Sequence, residues 1–173
     1  YFLDMKLGDS DEKIRRHLGR ISANVKKATA IIESLLSLTR MEKPNAEPRE
    51  LSEIVRKSLK RSKIPETVEV ITGFSEDQIF VNADNEQIRM ALKNIIKNAV
   101  QAMDESGKLG VSARIAETGE AEIIISDTGP GISPEHLEKI FQPLFTTKAQ
   151  GIGFGLSITR MIVENHGGTV RAE

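Results

Sequence analysis

The chain has 173 residues with 24 Lys plus Arg against 25 Asp plus Glu, 39% apolar and 28% charged side chains, 13 Gly, 6 Pro, and neither Cys nor Trp. This balance fits one globular domain, or one with an appendage, and excludes a disordered or low-complexity tail. The missing cysteines exclude disulfides, thiolate metal sites and thiol nucleophiles, and a net charge of −1 gives no footprint for a nucleic-acid partner.

In chain order, residues 1–7 (YFLDMKL) read as the end of an apolar helix stopped by Gly8, and residues 9–12 (DSDE) as the cap and acidic first turn of the next. In that second helix Ile14, Leu18, Ile21, Val25, Ala28, Ile32 and Leu35 step alternately by four and three, the seam of a coiled coil or bundle helix. The pattern runs to about Met41, a helix of ~30 residues and ~45 Å. Such a seam needs a partner, and a dimeric four-helix bundle supplies one. Residues 42–50 (EKPNAEPRE) carry two prolines and no apolar period, so a linker is expected there. Charge divides at the same point: residues 1–49 hold 10 basic and 7 acidic side chains, residues 50–173 hold 14 and 18.

The second part reads as a helix over 50–62, strands near 67–72 and 78–82, a helix over 84–104, strands near 109–116 and 121–127, a loop region over 128–150, a helix over 153–165 and a last strand from Gly168. Segregated helices and hairpin strands predict an α+β, two-layer α/β sandwich. No run approaches the 18 apolar residues of a membrane span and no signal-peptide build opens the chain. A cytoplasmic setting without direct membrane contact is expected, compatible with a membrane tether upstream.

Three groups carry candidate chemistry. On the 84–104 helix, Asn94, Asn98 and Gln101 share one face within an otherwise apolar surround. A carboxamide stripe there hydrogen-bonds or ligates something, although two asparagines alone equally suit a solvated helix edge. Residues 121–127 (AEIIISD) end a strand in Asp127, with Gly129 and Gly131 directly after, so a carboxylate can accept from an amino group while bare backbone admits a flat ring; a plain polar turn reads the same way. Gly151, Gly153 and Gly155 alternate just before the last helix, offering unhindered N–H groups and a positive dipole end to phosphate, or simply a flexible loop. The spacing matches neither a P-loop nor a dinucleotide fingerprint. Between them, Phe141 and Phe145 can pin a loop to the core and Lys148 can reach a phosphate or stay an ordinary surface lysine.

The order of these groups matters more than any one. Asn94-Ile-Ile-Lys-Asn98-Ala, Asp127-Thr-Gly-Pro-Gly131, Phe141-Gln-Pro-Leu-Phe145-Thr-Thr-Lys148 and Gly151-Ile-Gly-Phe-Gly155-Leu resemble the N box, first glycine box, F box and second glycine box of sensor histidine kinases. The resemblance covers residues 47–173, and residues 1–42 resemble the end of the first and the whole second helix of the kinase dimerisation hairpin. It implies a Bergerat-type ATP-binding fold over 50–173, a linker over 43–49, and a homodimer through the hairpin. It further implies Mg²⁺ held chiefly by Asn98 with Asn94 assisting. Adenine would be read by Asp127, flanked by Gly129, Gly131, Ala102 and Ile132, with Thr169 at the last strand nearby. Thr146, Thr147, Lys148, Gly151, Ile152, Gly153, Phe154, Gly155 and Leu156 would hold the triphosphate, under a lid over 128–150.

In hydrolytic relatives of this fold the residue at Asn94 is a glutamate that activates water, so the resemblance implies phosphoryl transfer to a histidine and onward to a response regulator receiver domain. A hydrolytic ATPase and a binding module with a degenerate nucleotide site are the alternatives. His17 lacks the acid that follows the family's acceptor and reads as seam-flanking, His136 falls in the lid, and His166 suits a helix C-terminus as a cation. The acceptor histidine is expected upstream of Tyr1, on the acceptor helix of an intact kinase. Ile152 stands where a threonine is more usual, and Gln101 where many relatives carry a basic residue.

Overall fold

The computed structural model describes residues 12–39, 43–148 and 151–173, in two units, Tyr1–Met41 and Glu42–Glu173. The helix end expected over 1–7 lies outside the described residues. In the first unit, α1 (Glu12–Thr39) opens on an acidic first turn, and Arg16 pairs with Glu12 one turn back at 3.2 Å. Its seam residues Ile14, Ile21, Val25 and Ile32 are exposed, the last three by more than half.

In the second unit, β1 (Glu47–Glu50) pairs antiparallel with β3 (Phe80–Ala83), Pro48 lying opposite Asn82. Residues 47–50 were expected in the linker; proline is tolerated here because the two-stranded pair gives β1 an open edge. Glu50 then caps α2 (Leu51–Arg61), accepting the N–H groups of Ser52 and Glu53, while Lys60 and Arg61 sit at the negative end of the dipole.

β2 (Val68–Phe74), β4 (Gly107–Ile115) and β5 (Ala121–Asp127) form a three-stranded sheet in the order β2-β4-β5, parallel between the first two and antiparallel between the last two. Hairpin pairing therefore holds for β4 and β5 but not for β2 and β3. Leu51 N–H bonds to the buried Ile79 at its carbonyl, 2.8 Å away, and draws the segment after β2 toward β1 and α2. Alternate residues Leu109, Val111 and Ala113 of β4 are fully buried beneath Ile54 and Val55 of α2 and Leu92, Ile96 and Ala99 of α3 (Asn85–Ala102). A single turn, α4 (Pro134–Leu137), interrupts the region expected as loop, and α5 (Gly155–Asn165) packs on α3 with Ile162 fully buried.

The last strand expected from Gly168 does not form. Residues 168–173 make no ladder; the Gly168 N–H bonds the Val163 carbonyl at 3.0 Å, and Arg171 reaches Glu122 of β5 at 3.5 Å and pairs with Glu173 at 3.1 Å.

His166 also differs from expectation. The Asp84 N–H donates to its Nε2 at 3.0 Å, and its Nδ1 lies 2.7 Å from the Ile162 carbonyl, which can only accept. Nδ1 therefore carries the proton and the ring in this arrangement is neutral, not a cation on the helix dipole. It ties the end of α5 to the start of α3.

Asp84 itself caps α3 through Glu86 and Gln87 and accepts from Asn45 N–H. Burial raises its carboxyl, but the N–H bonds from Gln87, Asn45 and Glu86 outweigh burial and hold it below the ordinary aspartate range. A depressed folded-state value gives stability that is present above the unfolded-chain value of about 3.9 and lost as pH falls through the folded one. Asp84→Ala is thus expected to destabilise the protein by about 1–2 kcal/mol at neutral pH. Urea titrations of both chains should show that gap narrowing progressively below about pH 4.

Candidate functional site

The C-terminal half of α3, the end of β5 and the start of α5 meet at one place. Asn94 and Asn98 are half-buried on α3, and Asn94 Nδ2 donates to the Gly155 carbonyl at 3.2 Å, bridging the carboxamide stripe to the second glycine box. No described hydrogen bond engages the Asn98 side chain.

One turn on, Ala102 lies beneath the first glycine box: a Cβ added to Gly129 would stand 3.1 Å from Ala102 and 2.7 Å from Asp127 Oδ1. Asp127 is exposed, and its Oδ1 accepts the Gly129 N–H at 2.9 Å, which turns the chain immediately after β5. Gly131 has φ +76°, and Ile132 is exposed beside it.

The F box and second glycine box are locked together. Gly153 (φ +80°) crosses so close to the chain at 144–145 that a Cβ would stand 2.5 Å from the Leu144 carbonyl carbon and 2.6 Å from the Phe145 oxygen. Leu144, exposed and at φ +68°, is itself strained. Thr146 Oγ1 accepts the Lys148 N–H at 3.1 Å and occupies the space a Gly151 side chain would need, while Thr147 is exposed. Phe145 stands edge-on to His136 at 5.3 Å, and the His136 ring bonds Ser133 at 2.9 Å. His136 thus supports the lid, and His17 is exposed on α1.

Phe154 is buried and precedes α5 without giving it a side-chain cap, so the first-turn N–H groups at Gly155 and Leu156 have no partner from that residue. Ile152 and Leu156 are half-buried on either side. Lys148 reaches back to α3, its Nζ donating to Gln101 Oε1 at 2.9 Å. Partial burial and the neighbouring Lys97 pull its ammonium below the usual lysine range, with Asp127 opposing.

Thr169 is exposed in the segment after α5, and no described hydrogen bond joins it to Asp127. Two further threonines support the site. Fully buried Thr159 bonds the Gly155 carbonyl at 2.9 Å, and Thr128 Oγ1 accepts the Lys108 N–H at 3.0 Å. Thr159 stands four residues after Gly155, the spacing of a side-chain bond back along a helix, which was its only sequence signal.

A glycine-flanked carboxylate at a strand's end, an amide-lined helix bonded to the uncapped start of α5, and a lysine held on that amide-lined helix give the α/β sandwich a polar site. Residues 83–173 match the family described as "Histidine kinase-, DNA gyrase B-, and HSP90-like ATPase", and the chain belongs to that family. It carries the ATP-binding catalytic module of the sensor-histidine-kinase type. The chain is 32% identical over 146 residues to sensor histidine kinase ZraS of Salmonella typhimurium, covering 83% of this chain and 31% of that protein. It is 30% identical over 165 residues to signal transduction histidine-protein kinase AtoS of Escherichia coli K12, covering 94% and 27%. It therefore spans less than a third of the length of those relatives.

Among solved structures, the mycobacterial sensor histidine kinase MprB superposes with TM-score 0.66 at 30% identity over 73% of this chain and 83% of that one. Histidine kinase ThkA in complex with response regulator protein TrrA superposes with TM-score 0.73 at 27% identity over 95% and 48%. Among the described residues no helix is long and apolar enough to cross a membrane.

Proposed function

We propose that this chain binds Mg²⁺-ATP and donates its γ-phosphoryl group to a histidine on the dimerisation helix of an intact kinase, for onward transfer to a response regulator aspartate. The observation that carries the reading is the convergence on the C-terminal half of α3: Asn94 is bonded to Gly155 at the uncapped start of α5, and Lys148 from the loop is bonded to Gln101. Asp127 would accept the adenine amino group, with Gly129, Gly131, Ala102 and Ile132 around the ring. Lys148, Thr146, Thr147 and the turn from Gly151 to Leu156 would face the phosphates, where N–H groups and the dipole favour anions.

The donor set suits magnesium. Asn94 commits its Nδ2 and keeps its amide oxygen, and Asn98 is half-buried with no described hydrogen bond to its oxygen. Neutral amide oxygens bind a hard divalent ion only weakly alone, so the phosphates would complete its shell. A magnesium ion held by these amide oxygens would supply neutralisation of phosphate charge.

An amide at Asn94 takes no proton from water, which favours transfer to a protein acceptor over hydrolysis. The exposed seam of α1 suits a homodimer through the helical hairpin. A cytoplasmic setting, where ATP is supplied, would suit a reaction of this kind.

Calorimetric titration with a non-hydrolysable ATP analogue should show binding that weakens about tenfold or more when magnesium is chelated. Asn98→Ala should remove most of that difference while leaving the weaker metal-free binding. Equal affinity with and without magnesium in the unaltered chain would sink the assignment of Asn98.

A further inference from the structure

Lys148 stands on an irregular segment whose backbone is tied locally, its N–H to Thr146 Oγ1 at 3.1 Å, while no described hydrogen bond from a near neighbour in sequence engages the tip of its long, flexible side chain. Its Nζ is nevertheless held at 2.9 Å from Gln101 Oε1, a contact across 47 positions of sequence. Gln101 is exposed near the last residue of α3 and is the third member of the carboxamide stripe. Lys97, one turn earlier on the same helix, repels the ammonium, and Asp127 attracts it without an ion pair among the described residues. The amide oxygen of Gln101 is thus the group that holds this cation over α3.

We infer that Gln101 is the positioning residue for Lys148: it takes one of the three ammonium donors and leaves the other two for a nucleotide's phosphates. The inference rests on the site holding a nucleotide. A neutral acceptor suits the task because it orders the lysine before ligand arrives, so less side-chain freedom is lost on binding. A carboxylate at position 101 would hold the lysine as well but repel phosphate, and an apolar side chain would release it.

Two measurements on Gln101→Leu, Gln101→Glu, Lys148→Ala and the double variant Gln101→Leu/Lys148→Ala test this. The first is the rate of amine acylation at Lys148 relative to Lys93 in the nucleotide-free chain, read by mass spectrometry. Losing the acceptor disfavours the ammonium, so Gln101→Leu should raise the relative rate about threefold or more, and Gln101→Glu should restore protection. An unchanged rate in Gln101→Leu would overturn the inference whatever the nucleotide result.

The second is affinity for a non-hydrolysable ATP analogue and for adenosine. Gln101→Leu and Lys148→Ala should each weaken the analogue about five- to tenfold, the double variant no more than Lys148→Ala alone, and adenosine binding should not move. Gln101→Glu should keep the lysine protected yet bind the analogue weakly. Multiplying effects in the double variant, or an equal loss for adenosine, would also overturn it. An unaltered chain that binds no nucleotide would defeat the proposed function, while the acylation rates would still report on the pair.

Discussion

Asp127→Ala is expected to weaken ATP-analogue binding by about 10- to 100-fold, the range for losing a hydrogen bond to a charged group. Two losses combine in that variant. One is the acceptor for an amino group on the base, and the other is the bond from Gly129 N–H that turns the chain after β5 at 2.9 Å. Asp127→Asn separates them, because its amide oxygen can keep the turn while its charge is gone. It should bind more tightly than the alanine variant and less tightly than the unaltered chain. Since Asp127 is exposed and outside the core, both variants should unfold at nearly the temperature of the parent. Unchanged affinity in Asp127→Ala would defeat the adenine assignment.

Gly153→Ala should have the second large effect, and here the cause is steric. The added Cβ would meet backbone at 2.5, 2.6 and 2.7 Å, and backbone cannot swing aside as a side-chain tip can. Its φ of +80° adds a penalty of about 1–2 kcal/mol for any residue with a Cβ. The F box and second glycine box would have to separate, and with them the contact that supports the strained Leu144. Analogue affinity should fall by about tenfold or more, with a stability loss of about 2–3 kcal/mol. Gly131→Ala is the matched comparison: its φ is +76°, but nothing lies within 4 Å of the added atom. It should show only the conformational penalty. Equal effects of the two variants would mean that the crossing at Gly153 does not hold the loop.

Much of the site was legible because its determinants are local. The i, i+4, i+7 spacing puts Asn94, Asn98 and Gln101 on one face whatever the helix packs against, and alternating glycines announce bare backbone directly. What stayed hidden depends on partners far along the chain. The Glu47–Glu50 strand is polar and proline-bearing, and only its pairing with Phe80–Ala83 makes it a strand. The His166 tautomer is set by a residue 82 positions away, and Gln101 gains its meaning from Lys148, 47 positions on. The stretches ending at Phe74 and beginning at Phe80 read alike as a hairpin, yet a parallel partner at Gly107–Ile115 claims the first. Periodicity reports which face is apolar, not which strand will cover it.

The proposed reaction is tested most directly with ATP labelled at the γ-phosphorus, incubated with this chain in the presence and absence of a dimerisation domain bearing an acceptor histidine. Label should appear on the acceptor in an acid-labile, base-stable linkage, with little inorganic phosphate released when the acceptor is withheld. Phosphate release at the same rate without the acceptor, and no label on its histidine, would contradict phosphoryl transfer and identify the chain as a hydrolase.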